Sequence, residues 1–216
     1  MAALTPSVRW HPEVMTKAQA DVLARFGPIA AAEGLYLAGG TALALRYGHR
    51  RSVDLDWFSP GIIADPLALA ARIRDQGVKL EVSSISRGTL HGRVNRVRVS
   101  FLEFRYPLLT RTARWPEAGC PIASIRDIAC MKLAAIAQCG SRKDFVDLWA
   151  LLAHRRRLPA MLADYQKKFS VGDIASVLYG LGYFDDAEAE PLPIMLVPAR
   201  WPEIRAGVIT ALRRIV

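Results

Sequence analysis

The sequence predicts an α+β fold, with a small mixed sheet and its helices in the first half of the chain and a C-terminal helical bundle in the second. Three observations predict it. Up to residue 104, segments with helix caps alternate with short runs of β-rich composition. Beyond Pro116 the apolar residues take on helical spacing behind two Ser-x-x-Asp caps. An apolar fraction of 52% over 216 residues is enough to fill a substantial core, as one large domain or two small ones. The expected division is an α/β half over 1–115 and a helical half over 116–216.

Thr16-Lys17-Ala18-Gln19 is a capping box that opens a helix toward Gly34, with a break or kink expected at Gly27-Pro28. The apolar run Leu35-Tyr36-Leu37-Ala38 reads as a short strand leading into a Gly39-Gly40 turn. Ala42 to Tyr47 is a helix stopped by Gly48. A strand carrying Asp54 and Asp56 follows, and Asp65-Pro66 supplies the cap and first position of a helix ending near Gly77. Leu80 to Ile85, Thr89 to Val94 and Val97 to Phe104, separated by Arg87-Gly88 and Asn95, form a meander that extends the sheet. Ser124 caps a helix through Gln138, and Ser141 caps another through His154. Leu158 to Phe169, Asp173 to Tyr183 and Pro202 to Ile215 read as three more helices, with proline-rich Pro191 to Pro202 as a linker or wrapping loop.

The chemistry concentrates between Leu37 and Phe58. A diglycine turn opening a helix presents bare backbone N–H groups and a helix N-terminus to an anion, phosphate being the obvious one. On the strand that follows, Asp54 and Asp56 alternate with Val53, Leu55 and Trp57, so both carboxylates share a face about 6.5–7 Å apart at Cα. Mg²⁺ prefers oxygen ligands and is held by one or two carboxylates, with water and substrate phosphate completing its shell. Ser52, two residues before Asp54, can present its hydroxyl to the same cleft or serve structurally.

At these residues the chain resembles the nucleotidyltransferases of the AbiEii/AbiGii toxin type, within the polymerase-beta-like superfamily. Four segments carry the resemblance: GGTALAL from Gly39, RSVDLDWF from Arg51, DIACMKLAAI from Asp127 and SRKDFVDLWALL from Ser141. Each is weak alone, while all four in this order are specific. The resemblance implies a nucleotidyltransferase core with Gly39, Gly40 and Thr41 at phosphate, Asp54 and Asp56 on metal, and Lys132 and Asp144 in nucleotide binding or catalysis across the cleft. Such enzymes place a third carboxylate on a later strand, where this chain offers Glu103 and, one face over, Ser100. Glu103 stands as the candidate third metal ligand; with Ser100 in that place instead, a second metal is held weakly or not at all.

Each of these residues also has a plainer reading. Lys132 sits in a mostly apolar helix and can snorkel to the surface or act as a point charge on triphosphate. Asp144 is the acid of its capping box as well as a site candidate. Asp147 reads as a solvent-facing helix charge, and Arg46, Arg50 and Arg51 as contacts to phosphate or RNA, or as surface charge.

The net charge is +9, and between Arg87 and Arg114 seven arginines face the single acid Glu103. Further basic clusters stand at His49-Arg50-Arg51 and His154-Arg155-Arg156-Arg157. Such a surface attracts nucleic acid through phosphate contacts, with salt sensitivity as the signature. Cys120, Cys130 and Cys139 lack the spacing of a zinc site or a disulfide framework and read as reduced thiols. The N-terminal MAALTPSVRWHPEV has no signal-peptide form and no run of about 18 apolar residues spans a bilayer, so a cytoplasmic protein is expected.

The leading expectation is therefore a Mg²⁺-dependent transfer of NMP from NTP to an acceptor hydroxyl. The resemblance makes it the toxin of a toxin–antitoxin or abortive-infection system, with RNA, specifically a tRNA 3′ end, as acceptor and a cognate antitoxin as protein partner. Two rivals stand beside it. An antibiotic-modifying nucleotidyltransferase needs the same core but an acidic pocket for a cationic substrate, and a degenerate NTP-binding module would bind without turnover.

Overall fold

The structure, a computed structural model, describes residues 9–215; residues 1–8 of the N-terminal stretch read above lie outside it. The observed architecture is a seven-stranded mixed sheet with helices packed on it and after it. Strands β1 (Tyr36–Ala38), β2 (Asp54–Ser59), β3 (Leu80–Ser86), β4 (Thr89–Val94), β5 (Val97–Glu103), β6 (Ala113–Arg114) and β7 (Pro121–Ile122) lie in the order β3-β4-β5-β2-β1-β7-β6. The meander β3-β4-β5 is antiparallel as expected. Its hairpin turn is built on Asn95 and Arg96, both at positive φ (49° and 68°), the conformation a two-residue turn demands.

Strand β2 lies parallel to β5 and antiparallel to β1, in the middle of the sheet. Its alternation is strict: Leu55 and Trp57 are fully buried while Asp54 and Asp56 face the other way, half-buried. The same parity runs through β5, where Val97, Val99 and Phe101 enter the core and Arg98 and Ser100 stand on the open face. Phe26 of α1 (Lys17–Ala32) seals the core side, its ring 4.5 Å from Trp57 and 5.3 Å from Phe101.

The Gly27-Pro28 pair does not break α1, which runs unbroken from Lys17 to Ala32 behind the expected Thr16–Gln19 capping box. Both residues serve instead as a packing surface. A Cβ on Gly27 would lie 1.7 Å from the Ala118 carbonyl oxygen, and one on Gly119 would lie 2.8 Å from Pro28 Cδ. The boundary drawn at 115/116 falls inside the β6–β7 hairpin, and β7 pairs with β1 of the first half. One hydrophobic cluster runs from Val14 to Val208.

Helix α3 (Pro66–Asp75) occupies the place its cap indicates, with Asp65 accepting from the Leu67 and Ala68 N–H groups, while α2 (Gly39–Tyr47) ends at the expected Gly48 stop but begins at Gly39, ahead of the expected Ala42, so that the diglycine forms its first turn. The second half holds α4 (Ile125–Cys139), α5 (Arg142–Ala153), α6 (Leu158–Phe169), α7 (Ala175–Gly182), a one-turn α8 (Asp185–Glu188) that the sequence did not suggest, and α9 (Trp201–Leu212). At the head of α4, Asp127 and Lys168 form a fully buried ion pair at 2.7 Å. Asp127 also accepts from Leu109 N–H and Ser124 Oγ, so one carboxylate ties α4, α6 and the 105–112 loop together. Burial pushes the Cys120 thiol up to about 11 and Cys130 up to about 12, while Cys139 is exposed.

Candidate active site

Segments distant in sequence meet at one cleft of about 520 Å³, lined by Gly39 and Gly40, Arg50 to Asp54, Asp56, Arg98, Lys132, Lys143, Asp144 and Leu192 to Ile194. Its floor is the end of β1, where the chain turns directly into α2. Gly39 sits at φ +70°, and a Cβ there would lie 3.0 Å from Asp56 Oδ2, so the backbone conformation and the close approach both call for glycine. At Gly40 a Cβ would fall 2.3 Å from an Arg50 guanidinium nitrogen. The diglycine turn thus makes room for a carboxylate on one side and a guanidinium on the other, while leaving the α2 N-terminus bare of side chains.

The second wall is a buried charge network. Lys132 lies on the core face of α4 in line with Ile125, Ile128, Ala129 and Ile136. It does not snorkel: Nζ is 2.8 Å from Asp144 Oδ1 and 2.6 Å from Asp147 Oδ2. Burial pulls the ammonium pKa down, but Asp147 and Asp144 outweigh it and hold the group above its ordinary value. Asp144 takes a 2.6 Å hydrogen bond from Ser141 Oγ and makes no side-chain cap on its helix, so its capping-box role gives way to the cleft.

Asp147 is the residue the sequence reading placed wrongly. It is completely buried and receives both Arg50 Nε (2.7 Å) and Arg50 Nη2 (2.8 Å), His49 Nε2 (2.8 Å) and Lys132. Burial opposes its charge, yet Arg50 and Lys132 hold its carboxyl well below the usual range. Arg50, read as a surface or phosphate-contacting arginine, is likewise buried, while Arg51 stays exposed and Arg46 stacks over Trp10 at 5.0 Å away from the cleft. One sequence signal pointed to Asp147: it lies three residues from Asp144, on the same α5 face.

Asp54 and Asp56 stand side by side on the open face of β2. Arg98 Nε lies 2.6 Å from Asp54 Oδ1. Burial and the negative charge of Asp54 raise the Asp56 carboxyl above its ordinary value, against a lowering hydrogen bond from Ser100. Ser100 is directly opposite Asp56 in the β2–β5 register, and His91 is directly opposite Ser100, its Nδ1 3.1 Å from Ser100 Oγ. Glu103, offered as third metal ligand, is not brought to the cleft. It pairs with Ser59, has the opposite parity to Ser100, accepts from Ile63 N–H at 2.9 Å and pairs with Arg105.

Thr41 is also not brought to the cleft wall; it is buried, and its hydroxyl donates to the Asp54 carbonyl while lying 2.7 Å from Ser52 Oγ. A hydroxyl has one proton, so Ser52 supplies the proton of the second bond, and both hydroxyls brace the start of β2. Ser52 still lines the cleft. Among the described residues no group of three acidic, histidine or cysteine side chains gathers to hold a metal. The donor set is two adjacent carboxylates, which suits an ion completing its shell with water and phosphate oxygens.

A second cavity of about 350 Å³ lies beyond the aspartates on the same sheet face, lined by Asp54, Asp56, Ser83, His91 to Arg93 and Arg98 to Ser100. The carboxylate pair therefore borders two cavities. In the larger one, Arg50, Arg51, Arg98, Lys132 and Lys143 outnumber Asp54, Asp56 and Asp144.

Comparison with known proteins bears on the family and the fold. The profile of the family described as nucleotidyl transferase AbiEii toxin, type IV TA system, matches residues 21–107 and 69–214. An uncharacterized protein of Aquifex aeolicus is 38% identical over 178 residues, covering 82% of this chain and 86% of that protein. The crystal structure of JHP933 from Helicobacter pylori is similar at a TM-score of 0.58 and 18% identity, over 93% of each chain. MenT4, a nucleotidyltransferase toxin from Mycobacterium tuberculosis, is similar at a TM-score of 0.61 and 16% identity, over 90% of this chain and 80% of that one. The two structural likenesses establish the shared fold.

Proposed function

The chain belongs to the nucleotidyl transferase AbiEii toxin family of type IV toxin–antitoxin systems, and from that premise we propose that it moves a nucleoside monophosphate from an NTP to a hydroxyl on RNA. Family membership carries nucleotidyl transfer in general and an antitoxin as partner class. The single observation supporting the finer reading is the convergence of the Gly39-Gly40 turn, Asp54, Asp56, Lys132 and Asp144 on one cleft.

Each residue has a part that its surroundings suit. The N–H groups at the start of α2 donate to the triphosphate, and the Lys132 ammonium, kept charged by Asp144 and Asp147, offsets its negative charge. Asp54 and Asp56 would hold Mg²⁺, which when bound supplies activation of the attacking oxygen and neutralisation of departing pyrophosphate. With Ser100 beside Asp56 in place of a third carboxylate, the residues present would hold one ion firmly rather than two. The acceptor enters from the smaller cavity, where Arg93 and Arg98 stand opposite each other across β4 and β5 and offer a paired contact to phosphate. Its hydroxyl oxygen bonds to the α-phosphorus as the bond to the bridging oxygen breaks; pyrophosphate leaves with the electron pair and the hydroxyl proton passes to solvent.

The excess of basic side chains in the larger cavity, with Arg93 and Arg98 at the smaller one, favours a polyanionic acceptor over a cationic aminoglycoside, and a tRNA 3′ end is the acceptor proposed. The test is incubation with each labelled NTP, Mg²⁺ and total RNA. Transfer is expected from the wild type and none from Asp54→Ala; absence of labelled RNA with all four NTPs would refute the proposal. The Asp54–Arg98 ion pair favours one rival, binding without turnover, and calorimetry detecting NTP binding in an inactive wild type would select it.

A further inference from the structure

Resting on the proposed nucleotidyl transfer, we infer that the segment between α8 and α9 is the shelf on which the nucleobase of the NTP lies. The segment, residues 189–200, is not a slack linker. It is laced antiparallel onto the loop that leads into β2: Arg51 N–H donates to the Ile194 carbonyl at 2.8 Å, Leu196 N–H donates to the His49 carbonyl at 3.0 Å, and Arg50 bridges Met195. Val53, the residue before Asp54, lines the same cleft as Leu192.

This tie creates an apolar wall in a cleft that is otherwise charged or bare backbone. Val53 is 58% exposed and Ile194 64% exposed, and both line the cleft together with Leu192 and Pro193. Two aliphatic side chains held in water gain nothing for the fold where they stand. A nucleoside triphosphate has the matching asymmetry: a highly charged end and a flat ring system with apolar faces. The glycine turn and Lys132 suit the first, and the aliphatic wall suits the second, within a volume in the usual small-molecule range of about 300–1,000 Å³. Leu192, Pro193, Ile194 and Val53 carry no side-chain donor or acceptor, so the shelf contacts ring area and not base edges.

The experiment compares two probes by calorimetry on the full chain without RNA: the tightest-binding ribonucleoside triphosphate and inorganic tripolyphosphate. Val53→Ser and Ile194→Ser are both at exposed positions, and unchanged thermal unfolding checks the fold. Each variant is expected to weaken NTP binding about tenfold, the scale of a lost methylene-sized apolar contact, and to leave any tripolyphosphate binding unchanged. Unaltered NTP affinity in both variants would overturn the shelf, as would an equal loss for the two probes or a wild type that binds NTP no tighter than tripolyphosphate. In those cases the phosphate-binding reading stands, whereas a wild type that binds neither probe removes both.

Discussion

Replacing Asp147 by Asn should unsettle this protein more than any surface change, because it keeps the shape of a fully buried hub and deletes its charge. Lys132 and Arg50 are balanced there by Asp144 and Asp147, and Asp147 alone takes three nitrogen contacts from these two cations at 2.6–2.8 Å. The variant leaves one positive charge uncompensated in the interior, a change that costs about 3–5 kcal/mol. Urea unfolding at pH 7 should show it as a midpoint lowered by roughly 1–2 M. The pH dependence has a definite sign. The Asp147 carboxyl lies well below the usual range in the folded chain, so its contribution is complete above the unfolded aspartate value of about 3.9 and fades as pH falls from there. The gap between wild type and variant should therefore narrow below about pH 4. A paired change, Arg50→Met with Asp147→Leu, restores charge balance and should cost less than Asp147→Asn alone. A loss under about 1 kcal/mol at pH 7, or a gap as wide at pH 3 as at pH 7, would refute the assignment of Asp147 as the charge hub.

Gly40→Ala puts a Cβ 2.3 Å from the Arg50 guanidinium, and displacing Arg50 should lower nucleotidyl transfer by about 10²-fold with circular dichroism unchanged; full activity would show that the glycine is dispensable. Asp56→Asn removes a carboxylate whose ionised form is disfavoured by burial and by Asp54, so its folded value lies above the unfolded one and stability falls as pH rises through that interval. The variant should melt at or above the wild-type temperature at pH 7 while losing transfer, and a lower melting temperature would contradict this. Lys168→Met leaves the buried Asp127 unpaired and should cost about 3–5 kcal/mol in chemical unfolding. Its transfer rate per folded molecule should match the wild type, and a selective loss of rate would place Lys168 in catalysis instead of structure.

Much of the site-bearing frame was legible because its signals are local. The Thr16 and Asp65 caps, the Gly48 stop, the alternation of β2 and the helical periods of α4 and α5 each depend on residues within a turn or two. The misreadings at Arg50, Asp147 and Gly27-Pro28 share one cause, pairing with a partner far along the chain. Arg50 and Asp147 look like solvent charges until they meet across 97 residues, and Gly27-Pro28 looks like a helix breaker until the 116–119 turn packs on it. Strands β6 and β7 are two residues each and carry no period to detect. Glu103 was offered as the carboxylate on the later strand, yet its parity set it on the wrong side of β5, and Thr41 turned its hydroxyl to Asp54 and Ser52 instead of outward.

The lacing of residues 192–194 onto the His49–Ser52 loop also sets a clock on biosynthesis. Strand β2 leaves the ribosome early, but the wall that completes its cavity follows about 140 residues later, roughly 7–30 s at ordinary translation speeds. Until then a nascent chain carries Asp54 and Asp56 without Leu192, Pro193 and Ile194 to wall the cleft they line.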